Sequence, residues 1–286
     1  MIKKITTSDG ETVSYLTTPS KKESTDTQTV ILLHGLGGDL SVWSQLEKVL
    51  TENGYSCISI DIRGHGESSR PKEPEKYQFS RLSLDIVEVM SEEKLSSVIV
   101  VGHCLGAIVG QQLAREFPTK VSKLVMLAPL NRSFLWIKWL EKKHIFTKSG
   151  ETLLKVLPSG NSHKRFAEQN YLNGSTDFSG RRIFGDLIRT SLKSYGNVMF
   201  QVLNLDLVQH LTKPSKVPTL ILLGKKDKVV SVKAIEKNRH LLAGAKIVIL
   251  EKGNHMLLMT AFDQIVHEIL EWLPDQEINA KYPSAS

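Results

Sequence analysis

A thiol becomes a nucleophile when a turn exposes it and a base and an acid stand nearby. Cys104 sits in Gly102-His103-Cys104-Leu105-Gly106, between the apolar run Val98–Val101 and a helical pattern over Leu105–Glu116. The stretch reads as strand, tight turn, helix. The turn has the form G-x-C-x-G, which is G-x-S-x-G with sulfur in place of the hydroxyl. Such a turn holds its nucleophile at a strained φ/ψ. The flanking Gly102 and Gly106 must be small so that strand and helix can close behind it. A helix N-terminus also favours the thiolate, the reactive form of cysteine. A buried, inert cysteine in a glycine-containing turn is the alternative, and the remainder of the chain decides between them.

The elements that must position Cys104 alternate along the chain. Strands are expected at 11–17, Thr29–Leu33, Tyr55–Ile60, Ser97–Val101, Val121–Ala128, Val217–Leu223 and Lys246–Leu250. Helices are expected at Ser41–Thr51, where Trp43, Leu46 and Leu50 share a face, and at Phe79–Met90, Leu105–Glu116, Ser231–Leu242 and Ala261–Leu273. Strands alternating with helices imply a mostly parallel sheet. The alternation breaks over 131–208, where only helical patterns occur, and Pro274 onward is a polar tail.

Five motifs fall at the C-terminal ends of these strands, where open α/β sheets build their sites. They are His34-Gly35, Asp61–Ser68, the turn around Cys104, Gly224-Lys225-Lys226-Asp227 and Gly253-Asn254-His255. Their kind and order resemble the α/β-hydrolase superfamily, in a capped esterase- or lipase-like branch with Cys at the nucleophile position. The likeness covers nearly all of the chain outside the tail. It implies an eight-stranded, mostly parallel sheet flanked by helices. The core would be residues 1–130 and 209–274, with a helical cap inserted at 131–208 and a flexible tail at 275–286.

The resemblance also implies roles. Cys104 is the nucleophile, His255 the base and Asp227 the acid that orients His255, in the family's chain order. The backbone N–H groups of Leu36 and Leu105 form the oxyanion hole, supported by His34, Gly35, Gly102 and Gly106. In this fold the side chain of His103 points away from the nucleophile, so His103 is not the expected base. Arg63 and His65 are expected to pin the loop around Gly64 and Gly66. The chain departs from the family's usual pattern with Cys for Ser, and with Ala107 where a second glycine is common. Nucleophile Asp is absent, which argues against epoxide hydrolase and haloalkane dehalogenase chemistry.

The implied activity is hydrolysis of a carboxylic ester, thioester or lactone through an acyl-Cys intermediate. Acyl transfer through the same intermediate and ligand binding without catalysis stay open as alternatives. No cofactor and no metal are expected, since the sequence has no clustered metal ligands and Gly35–Gly38 lacks the Lys-Ser/Thr of a phosphate-binding loop. Two cysteines make no disulfide framework, and Cys57 reads as core. The N-terminus carries charge without an apolar run, and no stretch approaches a membrane span, so the expected location is cytoplasmic. The net charge is +7, and 131–208 holds twelve Lys/Arg against six Asp/Glu. The usual fate of such charge is a solvated face, but its concentration makes an anionic or carrier-bound acyl substrate worth weighing. Nucleic acid is not expected, because no binding motif accompanies the charge. The mixed aromatic and basic run 133–144, SFLWIKWLEKKH, makes an anionic membrane surface a further partner to weigh.

Overall fold

The computed structural model describes residues 2–22, 27–130, 190–204, 216–237, 242 and 244–273. Its centre is an eight-stranded sheet: β1 (Ile2–Thr6), β2 (Thr12–Thr18), β3 (Thr29–Leu33), β4 (Ser56–Ile60), β5 (Val98–His103), β6 (Val121–Leu127), β7 (Thr219–Gly224) and β8 (Ala245–Leu250). The spatial order is β1-β2-β4-β3-β5-β6-β7-β8. The β1–β2 and β2–β4 pairs are antiparallel and the other five are parallel. The helices are α1 (Ser44–Glu52), α2 (Phe79–Glu92), α3 (Leu105–Glu116), α4 (Leu192–Asn204), α5 (Val232–Lys237), α6 (Leu257–Thr260) and α7 (Phe262–Trp272).

The central strands are buried on both faces, which is why they read as continuous apolar runs rather than alternating ones. Val30–Leu33 are inaccessible to solvent, and every residue of β5 is buried. From β3 the chain winds outward to β4 and then returns to pair β5 on the other side of β3. That reversal opens a crevice beyond the C-terminal ends of β3 and β5. The loops after these two strands carry His34-Gly35 and Cys104.

Seven of the strands follow the expected positions to within one or two residues, and β1 is the eighth strand that the resemblance implies and the sequence pattern does not place. It lies at the sheet edge with four of its five residues exposed or nearly so, and Lys3 and Lys4 guard that edge. A strand with no buried face leaves no alternation to read. The helix expected at Ser41–Thr51 divides into a 3-10 turn, Leu40–Trp43, and α1. Asp39 caps the turn by accepting the Ser41 N–H at 2.9 Å. Trp43, Leu46 and Leu50 are all buried, as their spacing requires. Of the expected cap, α4 is described, while 131–189 and 205–208 lie outside the described residues, as does the tail at 275–286. Among the described residues, no helix is long and apolar enough to cross a membrane.

Candidate active site

Cys104 stands between β5 and α3 with φ 51° and ψ −105°. A non-glycine residue at positive φ costs roughly 1–3 kcal/mol and persists only where its surroundings enforce it. The enforcement here is steric. A Cβ at Gly106 would come within 2.1 Å of the Leu33 carbonyl oxygen, and one at Gly102 within 2.4 Å of the Gly106 main chain. Strand β3, strand β5 and the first turn of α3 therefore touch backbone to backbone. The Cys104 N–H is tied to the Leu127 carbonyl at 2.9 Å. Cys104 is left at the start of α3, 6% exposed.

His255 reaches the same point from the loop after β8. Two contacts build that loop. The Asn254 side chain accepts the Met256 N–H at 2.8 Å, and the Asn254 N–H is bonded to Thr260 Oγ1 at 3.1 Å. The loop also lies directly on the end of β7, where a Cβ at Gly224 would come within 2.6 Å of the Gly253 carbonyl oxygen. The N–H groups of Lys225 and Lys226 donate to Leu250 and Gly253, both at 2.9 Å. This zipper brings Asp227 to His255. Nδ1 of His255 is 3.0 Å from Oδ2 of Asp227, and the other carboxylate oxygen accepts the Val229 and Val230 N–H groups, each at 2.7 Å. With Nδ1 on the carboxylate, Nε2 is the nitrogen left to face the hydrogen-bonded Cys104 side chain. Burial works against a charge on His255. The Cys104 charge, the Asp227 hydrogen bond and the Cys104 hydrogen bond outweigh it and push the imidazole up to about 10.

His34 is fully buried beneath the loop after β3. Its Nε2 accepts the Ile62 N–H at 3.0 Å, so Nδ1 carries the proton and donates to the Gly35 carbonyl at 2.8 Å. Burial holds its pKa below the ordinary histidine value, consistent with a neutral ring. The Gly35 carbonyl also accepts the Gly38 N–H at 3.0 Å. The peptide joining Gly35 to Leu36 is trans, so the Leu36 N–H points opposite to that anchored carbonyl. Leu105 is the first residue of α3, where helix N–H groups lack internal partners. Among the described residues, neither the Leu36 nor the Leu105 N–H has an acceptor. The loop flanks the nucleophile closely, since a Cβ at Gly35 would lie 3.2 Å from Cys104 Cβ.

The loop after β4 braces this arrangement without entering it. Arg63 is buried and forked onto two carboxylates. It meets Asp85 at 2.6 and 2.9 Å and Asp9 at 2.6 and 2.9 Å. Asp61 accepts the Leu40 N–H at 2.8 Å and the Glu67 N–H at 2.9 Å, tying this loop to the one after β3. His65 packs edge-on against His34 at 4.9 Å, and burial, its largest influence, lowers its pKa to about 3. A neutral His65 and a doubly paired Arg63 match the pinning role expected of them.

The α/β-hydrolase fold family profile matches residues 28–262. The chain belongs to that family. It is similar to Protein ABHD8 of Mus musculus, 24% identical over 257 residues and 87% of this chain, and it spans 56% of that relative's length. It thus covers little more than half of the ABHD8 relatives it matches. It is also similar to 3-oxoadipate enol-lactonase 2 of Acinetobacter baylyi, 23% identical over 207 residues, 72% of this chain and 74% of that protein. Among solved structures, a hydrolase from Pseudomonas aeruginosa superposes with a TM-score of 0.70 at 22% identity, over 96% of this chain and 98% of that one. This shared α/β-hydrolase fold accounts for the strand order and for the crevice beyond β3 and β5.

The structure brings Cys104, Asp227 and His255 together, with Leu36 and Leu105 beside them. Gly35, Gly102 and Gly106 mark close backbone approaches, and His34 sits under the Leu36 loop. His103, set aside as a base from the sequence, makes a contact that the sequence does not show. Its Nε2 lies 2.9 Å from the His255 carbonyl oxygen. Its neighbour in sequence was visible, but the partner 152 positions away was not. Phe134, Trp136, Trp139, Phe146 and Phe184, in the expected cap, lie outside the described residues. Phe200, on α4, is half-buried.

Proposed function

We propose that this protein is a hydrolase of carboxylic esters, thioesters or lactones, acting through a covalent acyl-Cys104 intermediate. The observation that carries the reading is the continuous chain of hydrogen bonds from Asp227 through His255 to a cysteine held at positive φ. In the scheme, Cys104 sulfur attacks the acyl carbon while its proton resides on His255. The carbonyl oxygen becomes an oxyanion between the Leu36 and Leu105 N–H groups. His255 passes its proton to the departing alcohol or thiol, leaving acyl-Cys104. A water then gives its proton to His255 and attacks the thioester. Cys104 is released and a carboxylic acid forms. Asp227 holds the tautomer and supports the charged ring throughout.

The proposed substrate is a small acyl compound, and the basic balance of 131–208 favours an anionic or carrier-bound one. Stopped-flow release of p-nitrophenol from p-nitrophenyl acetate tests the scheme. A burst equal to the enzyme concentration, followed by slower turnover that an added amine does not divert, is the expected result. Diversion into an amide would make the protein an acyltransferase. Absence of any burst or turnover across a range of esters and thioesters would favour a ligand-binding protein without catalysis.

A further inference from the structure

His103 is buried beside the nucleophile, and the acyl scheme assigns it no proton. Its backbone ends β5, one residue before Cys104. Its ring crosses to two other loops. A carbonyl only accepts, so Nε2 of His103 carries the hydrogen of the 2.9 Å bond to the His255 carbonyl. The two imidazole centroids are 5.2 Å apart with planes tilted by 46°. On its other side, Nδ1 lies over Gly35, where an added Cβ would come within 2.8 Å of it. One side chain therefore touches the His255 loop and the loop of Leu36, while its own backbone leads into Cys104.

We propose that His103 is a positioning residue that fixes the reach of His255 to Cys104 by holding the His255 main chain. The inference rests on the acyl-Cys104 reading. Other anchors of that loop act on Gly253, Asn254 and Met256, and Asp227 holds the His255 ring; His103 acts on the main-chain carbonyl of His255. With Nε2 donating there, only Nδ1 of His103 is left to accept, and Nδ1 lies over Gly35. Its loss removes a main-chain tether from the residue whose ring must meet both the thiol and Asp227. The same ring explains why position 35 is glycine, since a side chain there would displace it.

The experiment uses the full chain with p-nitrophenyl acetate, reading kcat and KM separately and the pH dependence of Cys104 alkylation by iodoacetamide. His103→Gln keeps an N–H near the place of Nε2, and His103→Phe keeps a ring without one. The expected result is a loss in kcat of about 10- to 100-fold for Phe, the scale of a small misplacement of reacting groups, with KM nearly unchanged. The alkylation profile should shift in Phe and return towards wild type in Gln. If Phe does not fold, His103→Asn replaces it, because its shorter amide withdraws from the His255 carbonyl. Wild-type kcat and profile in the variant lacking the bond, or equal loss in a folded Gln variant, would overturn the proposal. Cys104→Ala separates the two claims. If it reacts like wild type, the acyl-Cys104 reading fails; if acylation depends on Cys104 but not on His103, only the positioning role fails.

Discussion

The two carboxylate oxygens of Asp227 have different partners, and this decides what an amide would do there. Two backbone N–H groups occupy one oxygen, and an amide satisfies them only with its carbonyl. Asp227→Asn must then turn its NH2 towards His255 Nδ1, opposing the N–H found there. The ring loses both its orientation and the support for its charge. Acylation by this variant should fall on the order of 10⁴-fold, the scale known for the same change in a serine triad, with the fold retained by circular dichroism. A loss below tenfold would mean that Asp227 does not set the tautomer. The charge on His255 has its own sign. Burial opposes it, and Cys104 is the first of the influences that raise it. In Cys104→Ala those contributions vanish, so the His255 titration followed by imidazole NMR should move down from about 10 towards the ordinary histidine range. An unmoved midpoint would contradict a coupled pair. Cys104, Asp227 and His255 were legible in the sequence because each follows a strand within a short glycine-bearing motif. His103 was illegible as a brace, because its bond spans 152 positions and no local pattern encodes it.

Among the elements, the junction of β3, β5 and α3 bears the tightest constraint. Gly106→Ala places a methyl carbon 2.1 Å from a backbone oxygen, with no flexible side chain to yield. Overpacking of this kind should cost about 3 kcal/mol, measured by urea denaturation. Gly10 supplies the control. It has φ 82° with open space around its Cβ direction, so Gly10→Ala should cost only the left-handed penalty of about 1–2 kcal/mol. A loss at Gly106 no larger than that at Gly10 would mean that close contact does not govern the junction. Arg63 fastens the β1–β2 turn to α2 through Asp9 and Asp85. Arg63→Met leaves Asp85 buried with weaker compensation from Arg81. Roughly 3–5 kcal/mol should be lost, the range for orphaning one half of a buried pair. The acid side has a sign as well. The Arg63 hydrogen bond, against some burial, holds Asp9 well below the ordinary carboxylate value, so its contribution is present above that value and fades as pH falls through the lowered one. The central strands were readable because burial on both faces leaves unbroken apolar runs. Edge strand β1 was not, because two lysines and exposed faces erase the period.

At the scale of the whole molecule, the strand order explains why residues more than 200 positions apart share one site. The chain turns back at β3, and every candidate residue then lies at the C-terminal edge of the sheet. Sequence order and the five motifs sufficed for that architecture, since parallel strands admit few connections. The charge of the molecule is less even than its fold. The segment 131–208 holds twelve basic and six acidic residues, and Lys225, Lys226 and Lys228 flank Asp227. We propose that this balance steers anionic acyl donors. Between low and high salt, kcat/KM for a carboxylated ester should fall about tenfold, while a matched neutral ester holds its value. Equal salt dependence for the two would remove steering.

The most direct test of the central claim is intact-mass spectrometry of the whole protein, acid-quenched during the p-nitrophenyl acetate burst and followed by peptide mapping. The acyl-Cys104 scheme predicts a single acetyl group, on the peptide containing Cys104, absent from Cys104→Ala and persistent in His255→Ala only after prolonged incubation. An adduct on another residue, or undiminished turnover by Cys104→Ala with no adduct on the wild-type protein, would contradict it.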